Sequence, residues 1–396
     1  MDFLKRGRNG TRPIGKLGVL GLFTSMGFAA VGTIWTVYLK SFLHNPSYVG
    51  FISALFTIIA MVSYFLIIPI IEKNNKVKLY SMALVGYVGF YILFSFLKNI
   101  YVIVGLGILL SVMVTLRVTC FGILIREKSE KNKVSENEGL IYTAGNISWL
   151  VGPLIAGFIA SRYSEPRVFL FAVGMLIIAL ILLRAFRIKS NNPPRKKIDN
   201  NVLKILKEFF GSKKRRLSYI LGGGVNFWWA LIYVYMPMYI IDKGLGDITL
   251  GIFLAAIVVP LVLLEYYFSK MASKKGFRKM FFLGYFIIAV LSFACFFITN
   301  SYAILGFLIL ASIGAAMIEP TTEAYFFDIV SERQREKFYG PYNTAIDVGH
   351  FSATMISAVI LLVLPFKFVF VFFGVGTLFL ALLSLKIKNI IEERRK

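Results

Sequence analysis

Twelve apolar segments, each roughly the 20 residues that a helix needs to cross a bilayer, divide this chain of 396 residues. Lipid cannot hydrogen-bond open backbone groups, and the alternating pattern of a barrel is missing from the sequence, so helices are the economical structure. The first segment is too long for a signal peptide and is expected to remain as a span. The sequence therefore predicts an all-α membrane protein with transmembrane helices at residues 17–39, 48–71, 79–97, 101–125, 139–161, 168–186, 218–241, 249–269, 280–299, 302–326, 339–364 and 367–387.

The basic residues lie almost entirely in alternate connections between these segments. Of the 44 Lys and Arg residues, 37 lie in the N-terminal tail and every second connection after it, six lie in the others, and Arg117 lies inside an apolar segment. Because positive residues accumulate on the cytoplasmic side, this bias predicts a multi-pass protein of the cell membrane with both termini in the cytoplasm. The basic loops are also expected to attract anionic lipid head groups.

The composition excludes several other classes of protein. A hydrophobic content of 58% with only 16% charged residues excludes a soluble domain of this size. The net charge of +24 lies in short clusters, without a basic aromatic module, so no nucleic-acid partner is expected. Cys120 and Cys295 lie in apolar segments and suggest no metal site. Phosphate-loop, dinucleotide and nucleophile-elbow motifs are absent from the sequence, so we expect no cofactor and no enzymatic activity, whether on lipid or another substrate.

The widest connection, residues 187–217, is basic and contains an amphipathic stretch. Val202, Leu206 and Phe209 recur at helical spacing, which predicts a helix on the inner membrane surface with its lysines toward the head groups. A plain tether between two bundles is the alternative. The predicted order is a cytoplasmic segment, a six-helix bundle, this linker, a second six-helix bundle and a basic tail, at residues 1–16, 17–186, 187–217, 218–387 and 388–396.

The two halves of the chain repeat at a constant offset of 201 residues. This offset pairs glycines, loop lysines and asparagines, which chance is less able to align than apolar residues. A parallel six-plus-six repeat is a transporter architecture, with the substrate site expected between the halves near the midplane. Matched pairs include Gly50 with Gly251, Lys73 with Lys274, Asn99 with Asn300, Gly105 with Gly306 and Gly139 with Gly340.

A pattern of small residues around the fifth span resembles the antiporter motif of the major facilitator superfamily. Its residues are Gly139, Ser148, Gly152-Pro153 and Ala156-Gly157, where Ser148 and Ala156 replace two glycines of the family's motif. Small residues let helices approach closely, and a proline bends a helix. The resemblance implies a monomeric secondary transporter with alternating access, of the kind that exchanges substrate for protons. The alternative interpretation is a packing hinge that serves several modes of transport.

Two further patterns carry the same resemblance. The connection Glu72–Lys78 is similar to the family's Asp-Arg-x-Gly-Arg loop, with Glu72 at the acidic position, Lys73 at the first basic position and Asn75 in place of the glycine. Asn tolerates a left-handed turn better than most residues. The resemblance implies a cytoplasmic gate formed by Glu72 and Lys73, and a plain basic turn is the alternative. In the fourth span, Arg117 and Gly122 are similar to a third family pattern.

Charged residues inside the predicted spans are the candidates for coupling and binding. Glu319 and Glu323 are four residues apart in the tenth span and share one helix face, where low dielectric favours a proton on at least one carboxylate. The offset maps Arg117 onto Ile318, so we expect Arg117 to face Glu319 and Glu323 at similar depth. The alternative for Arg117 is a structural clamp on backbone carbonyls.

The eleventh span adds Asp347 and His350, which lie three residues apart. Asp347 is expected to accept a bond from a basic side chain, and His350 has the side chain that ordinarily titrates near neutral pH. A hydrogen-bonded, inert His350 is the alternative. Glu265 and Asp328, near helix ends, are expected to pair with loop lysines.

An aromatic stretch in the seventh span is the candidate wall of the cavity. Trp229 and Tyr233 are four residues apart, Asn226 lies one turn before Trp229, and such rings can receive an apolar or cationic group. Packing against lipid or a neighbouring helix is the alternative. Together these features favour proton-coupled efflux of small amphipathic compounds. A proton-coupled importer or uniporter of a polar nutrient, such as a sugar or a carboxylate bound by Arg117, is the alternative.

Overall fold

The computed structural model describes residues 13–129, 134–190 and 202–390, and nearly all of them are helical. Over these residues the helices are α1 (Pro13–Leu43), α2 (Pro46–Lys73), α3 (Lys76–Phe96), α4 (Ile100–Lys128), α5 (Val134–Arg162), α6 (Glu165–Ala185), α7 (Val202–Gly211), α8 (Lys213–Ala230), α9 (Met236–Asp242), α10 (Gly246–Lys275), α11 (Phe277–Phe297), α12 (Ser301–Ile329), α13 (Glu332–Val363) and α14 (Lys367–Ser384).

The prediction of twelve membrane-spanning helices is confirmed for the described residues. Twelve helical stretches are long and apolar enough to cross a bilayer, and each coincides with a predicted span. Most helices begin a few residues before the predicted start, as α13 does at Glu332 rather than at residue 339, whereas α3, α6, α11, α13 and α14 end one to three residues before the predicted end. Polar residues can continue a helix at its ends because the backbone keeps its hydrogen bonds while the long side chains reach the bilayer–water interface.

The chain divides into two compact units. The first unit comprises the described residues within Met1–Trp35 and Ile59–Lys196, and the second comprises those within Thr36–Ile58 and Lys197–Lys396. The end of α1 and the beginning of α2 therefore belong to the second unit. Lys40 of α1 pairs with Asp242 at the end of α9, and Gly50 of α2 lies against Tyr235 and Ala358, which explains this assignment.

Equivalent helices pack in the same way inside each unit. In the first unit α3 packs between α4 and α6, and in the second α11 packs between α12 and α14. These helices correspond under the 201-residue offset, so the repeated sequence produces repeated packing. In the second unit α8 also packs along α13, and α10 packs along α12.

The repeated turn after the second helix of each half differs between the copies. Asn75 has an extended backbone, and its side chain accepts hydrogen bonds from the amides of Val77 and Lys78 as the cap of α3. The left-handed turn suggested for Asn75 is therefore wrong. Its counterpart Gly276 has φ of +91°, and the Asn389 side chain occupies the space a Cβ would need, so only this copy requires glycine.

The sequence predicted the seventh span as one continuous helix, but in the structure an irregular turn interrupts it. Between α8 and α9, Leu231–Tyr235 forms a π-helical turn, with the amide of Met236 bonded to the carbonyl of Leu231. Pro237 has no amide hydrogen to donate to the preceding turn, which accounts for a break in the α-helical ladder at this point. The Tyr235 hydroxyl donates to the carbonyl of Thr354 at 2.5 Å and ties the turn to α13.

The predicted linker helix exists as α7, but its apolar face packs on protein. Phe209 is fully buried in a cluster with Phe326, Val330, Phe338 and Tyr342, at the junction of α12 and α13. The Lys337 ammonium donates to the Glu208 carboxylate at 2.5 Å, and this bond lowers the pKa of Glu208. Phe209 therefore packs on protein, because the aromatic cluster offers it a dry surface, and the predicted orientation of the lysines toward the head groups stays a prediction.

Replacing Phe209 with Ala is expected to release α7 from this cluster. Truncating a fully buried Phe costs about 3 kcal/mol or more of packing free energy. This loss is large for α7, because it is a short helix with few other buried side chains. Hydrogen exchange of the amides in Val202–Gly211 should then become at least tenfold faster, while exchange in α11 stays unchanged. The matched control is Phe210→Ala, because Phe210 is 36% exposed. Equal protection of α7 in the Phe209 variant and the wild type would contradict the assigned role of this ring.

Candidate functional site

Two half-buried carboxylates of the second unit lie on neighbouring helices, inside the predicted spans. Glu265 is the twentieth residue of α10 and Glu319 the nineteenth of α12. These helices run in the same direction, since one antiparallel helix separates them in sequence, and they pack against each other. The two charges are consequently close enough to repel.

The Glu319 carboxylate is the less solvated of the candidates. Its Oε2 atom is buried and has no hydrogen-bond partner among the described residues, while the indole of Trp229 lies near enough to the carboxylate to donate to it. A charged oxygen left without a donor in low dielectric costs several kcal/mol. The indole can donate to this carboxyl group whether or not the group is charged.

The predicted aromatic wall lies beside Glu319. Trp229 and Tyr233 stack with ring centroids 5.4 Å apart, and Tyr233 is close enough to Glu319 to interact electrostatically. The π-helical turn that contains Tyr233 sets the direction of this ring relative to Trp229. Asn226 is half-buried one turn earlier on α8. Trp229 and Tyr233 thus lie near one carboxylate, and the predicted role of Asn226, Trp229 and Tyr233 as a cavity wall stays a prediction.

Glu323 has different surroundings from Glu319, although the two share a helix face. Glu323 is exposed and accepts a hydrogen bond from the Tyr339 hydroxyl at 2.8 Å. Tyr339 stacks on Phe327 with centroids 5.6 Å apart, beside the cluster that holds α7. Glu323 is therefore linked to the α12–α13 junction, whereas the carboxylate next to Glu319 is Glu265.

Asp347 and His350 also contact separate groups. Asp347 is half-buried and interacts with Tyr219 of α8, whose hydroxyl is 3.0 Å from the Thr344 hydroxyl. His350 Nδ1 lies 3.1 Å from the Thr57 hydroxyl of α2. The hydrogen-bonded alternative for His350 thus agrees with this contact, and Asp347 stands beside a hydroxyl of α8.

Arg117 of the first unit lies in an aromatic group that sequence reasoning missed. Its guanidinium carbon is 4.0 Å from the centroid of the Phe28 ring, in cation–π geometry. The Tyr87 hydroxyl is within hydrogen-bonding reach of the guanidinium, and Tyr80 and Tyr91 are near enough to feel its charge. Tyr80, Tyr87 and Tyr91 recur at helical spacing on α3, which is the sequence signal that would have revealed the group. The predicted approach of Arg117 to Glu319 and Glu323 stays a prediction.

The antiporter-like motif packs α5 closely on α1. A Cβ at Gly152 would lie 2.8 Å from the Ala29 Cβ, and the Ser148 hydroxyl donates to the carbonyl of Leu22 at 2.9 Å. Ser148, which stands where the family has glycine, thus adds an interhelical bond. Pro153 and Gly157 are buried on α5.

The remaining gate residues are described only in part. Gly139 lies within α5, Lys73 is exposed at the end of α2, and the side chain of Glu72 lies outside the described residues. The gate assigned to Glu72 and Lys73 therefore stays a prediction.

Glu265 has surroundings that sequence reasoning did not predict. The sequence prediction paired it with loop lysines, because it lies near the end of its predicted span. Its proximity to Glu319 depends on how α10 and α12 pack, and the only sequence signal was an acidic residue at the same depth on a parallel helix.

Comparisons with known proteins agree with this architecture. The sequence model of the Major Facilitator Superfamily matches residues 17–264 and 248–395. An uncharacterised MFS-type transporter of Methanocaldococcus jannaschii is 24% identical over 234 residues, which are 58% of this chain and 60% of the relative, so the match spans under two thirds of that protein.

Solved structures share the fold at low sequence identity. A POT family transporter in complex with a thioalcohol-conjugated peptide superposes with a TM-score of 0.77 at 11% identity, covering 94% of this chain and 95% of that one. A D-xylose–proton symporter gives a TM-score of 0.76 at 14% identity, covering 95% and 97%. At such identity these structures establish the fold only.

Proposed function

Since this chain belongs to the Major Facilitator Superfamily, we propose that it is a secondary transporter that couples efflux of small amphipathic compounds to proton entry by alternating access. The protein is a multi-pass membrane protein. In this proposal it works as a monomer in the cell membrane, with both termini in the cytoplasm, as the distribution of basic residues favours.

The observation that carries the proposal is the pair of half-buried carboxylates on the packed helices α10 and α12. Glu319 has an oxygen without a hydrogen-bond donor among the described residues and a second carboxylate, Glu265, beside it. A group that is expensive when charged and close to an indole donor is suited to gain and lose a proton in each cycle. Glu319 is assigned the role of proton carrier, with Glu265 acting through repulsion of its charge.

The substrate is assigned to the wall next to this carboxylate. Trp229 and Tyr233 offer ring faces and Asn226 a polar group, which suits a compound with an apolar body. In this proposal, binding of the compound at the wall and binding of a proton to Glu319 compete with each other. This competition couples the two fluxes. Asp347 and His350 are assigned supporting polar roles in the same half of the protein, and Glu323, bonded to Tyr339, is assigned to the α12–α13 junction.

The direction of transport rests on the antiporter-like motif. Its small residues are used in close packing of α5 on α1 at Gly152, which is consistent with the exchange mode that the motif is associated with in the family. Glu72 and Lys73 are assigned to the cytoplasmic gate on the family resemblance.

Proteoliposomes that contain a trapped pH-sensitive dye test the proposal. We expect that adding a transported amphipathic compound to purified protein moves protons in the opposite direction, and that collapsing the pH gradient abolishes accumulation of the compound. Ethidium, benzenesulfonate and D-xylose serve as an amphipathic cation, an amphipathic anion and a polar nutrient. Proton movement with D-xylose alone would favour the importer. Movement of every compound at a rate that ignores the gradient would overturn proton coupling.

A further inference from the structure

Arg117 is a partly buried cation whose own unit offers it rings and hydroxyls. The guanidinium stacks on Phe28, and the hydroxyl of Tyr87 is within hydrogen-bonding reach. Phe28 and Tyr87 are themselves in contact, with ring centroids 4.6 Å apart at 67°. Tyr80 and Tyr87 are at most 1% exposed, while Arg117 keeps part of its surface accessible. The arrangement is a partly accessible charged group inside an aromatic enclosure formed by Phe28, Tyr80, Tyr87 and Tyr91.

The enclosure lacks a negative charge among the described residues. In the sequence every Asp and Glu before residue 187 lies outside the six predicted spans of the first half. Within the part of the first unit that the structure describes, the Nε atom of Arg117 is buried and has no hydrogen-bond partner, and the buried Tyr80 hydroxyl lies near the Thr24 side chain without a hydrogen bond of good geometry. A buried guanidinium is stable only when paired or hydrogen-bonded, so these two unused donors mark a place where an acceptor would be stabilised.

We infer that Arg117, Tyr80 and Tyr87 form a subsite for a single carboxylate group carried by an apolar or aromatic compound. The guanidinium presents donors in a planar fork that matches two carboxylate oxygens. The Tyr hydroxyls can donate to the remaining lone pairs. One guanidinium balances one negative charge, which suits a monocarboxylate better than a dianion such as phosphate. The half-buried ring of Phe28 offers an apolar contact beside the carboxylate.

This inference deepens the proposed function by giving the amphipathic substrate an acidic end, and it rests on that function only for the statement that the ligand is transported. Binding itself requires no proton gradient. Binding and transport can therefore fail separately, and each failure points to a different claim.

Calorimetric titration of the full chain in detergent with benzoate is the direct test. We expect benzoate to bind, neutral benzamide not to bind, and Arg117→Gln to weaken benzoate binding by roughly tenfold or more, as loss of a hydrogen bond to a charged group does. Tyr80→Phe and Tyr87→Phe keep the rings and should each weaken binding about threefold or more. Arg184→Gln, at an exposed arginine near the end of α6, is the matched control and should bind as the wild type does.

The same titrations contain the results that overturn the inference. Equal benzoate affinity in the wild type and Arg117→Gln, or equal affinity for benzoate and benzamide, would exclude the subsite. Chloride that competes as strongly as benzoate would exclude a carboxylate-specific site. If Arg117→Gln does not elute as a folded monomer, Arg117→Lys keeps the charge without the fork and should still lose affinity. Benzoate binding together with gradient-insensitive flux would leave the subsite intact and overturn the proposed function alone.

Discussion

Replacing Glu319 with Gln is expected to abolish the pH-gradient-driven part of transport while leaving substrate exchange in place. The amide matches the size of the protonated acid and can still accept from the Trp229 indole, but it cannot release a proton. The variant also removes repulsion from Glu265, so the packing of α10 against α12 should not suffer. Accumulation of substrate in proteoliposomes should fall to that of protein-free vesicles, and exchange at equal pH should persist.

Two further variants sharpen this prediction. Glu323→Gln is the matched control on the same helix, because Glu323 is exposed and bonded to Tyr339, and it should keep coupled transport. Glu319→Asp retains a titrating group and should restore coupling with a shifted pH profile. Gradient-driven accumulation at the wild-type level in Glu319→Gln would remove this residue from the coupling mechanism. The same result in the double variant with Glu323→Gln would remove the proposed coupling from this helix face.

Gly223→Val is expected to give the largest loss of stability. Gly223 of α8 crosses Gly349 of α13 so closely that a Cβ on either residue would overlap a backbone carbonyl of the other helix, that of Ala345 or that of Gly223. A clash with backbone cannot be relieved by a rotamer change, so the helices must separate. Overpacking of this kind costs about 3 kcal/mol or more, which corresponds to a fall in melting temperature of roughly 5–10 °C. Thermal melting in detergent, followed by size exclusion, measures the effect.

The control for this prediction is a glycine in open space. Gly89 of α3 is exposed and has no atom of another residue within 4 Å of its ideal Cβ, so Gly89→Val should leave the melting temperature nearly unchanged. Similar melting of the two variants would mean that helix propensity, rather than the α8–α13 crossing, explains any loss. Because Tyr219 of α8 contacts Thr344 of α13, transport by Gly223→Val should also be impaired in whatever fraction remains folded.

The number and position of the spans followed from the sequence because each is a local property. A run of about 20 apolar residues must form a helix in lipid whatever its neighbours are. The family followed from the repeat and from small residues at fixed spacing, such as Gly152 and Pro153. Glu319, Trp229 and Tyr233 could be predicted as separate candidates, since charged residues inside spans are few and costly, but the sequence did not predict that the two rings lie near this carboxylate.

Contacts between helices did not follow from the sequence. Periodicity gives the face of a helix but not the helix that covers it, so Glu265 seemed suited to loop lysines until the packing of α10 on α12 brought it to Glu319. The same limit explains the position of Phe209, because the sequence of α7 does not show whether its apolar face packs on lipid or on protein. It also explains the π-helical turn, which depends on the hydrogen bond from Tyr235 to α13.

By itself, therefore, the sequence determined the twelve helices, their repeat and the residues too costly to lie in lipid without a role. The tertiary structure alone decided which carboxylate stands beside Glu319, that Arg117 is enclosed by Phe28 and Tyr87, and that α7 packs on protein. The physical reason is that burial in lipid depends on each segment's own transfer free energy, whereas the surroundings of a side chain depend on which helix is its neighbour.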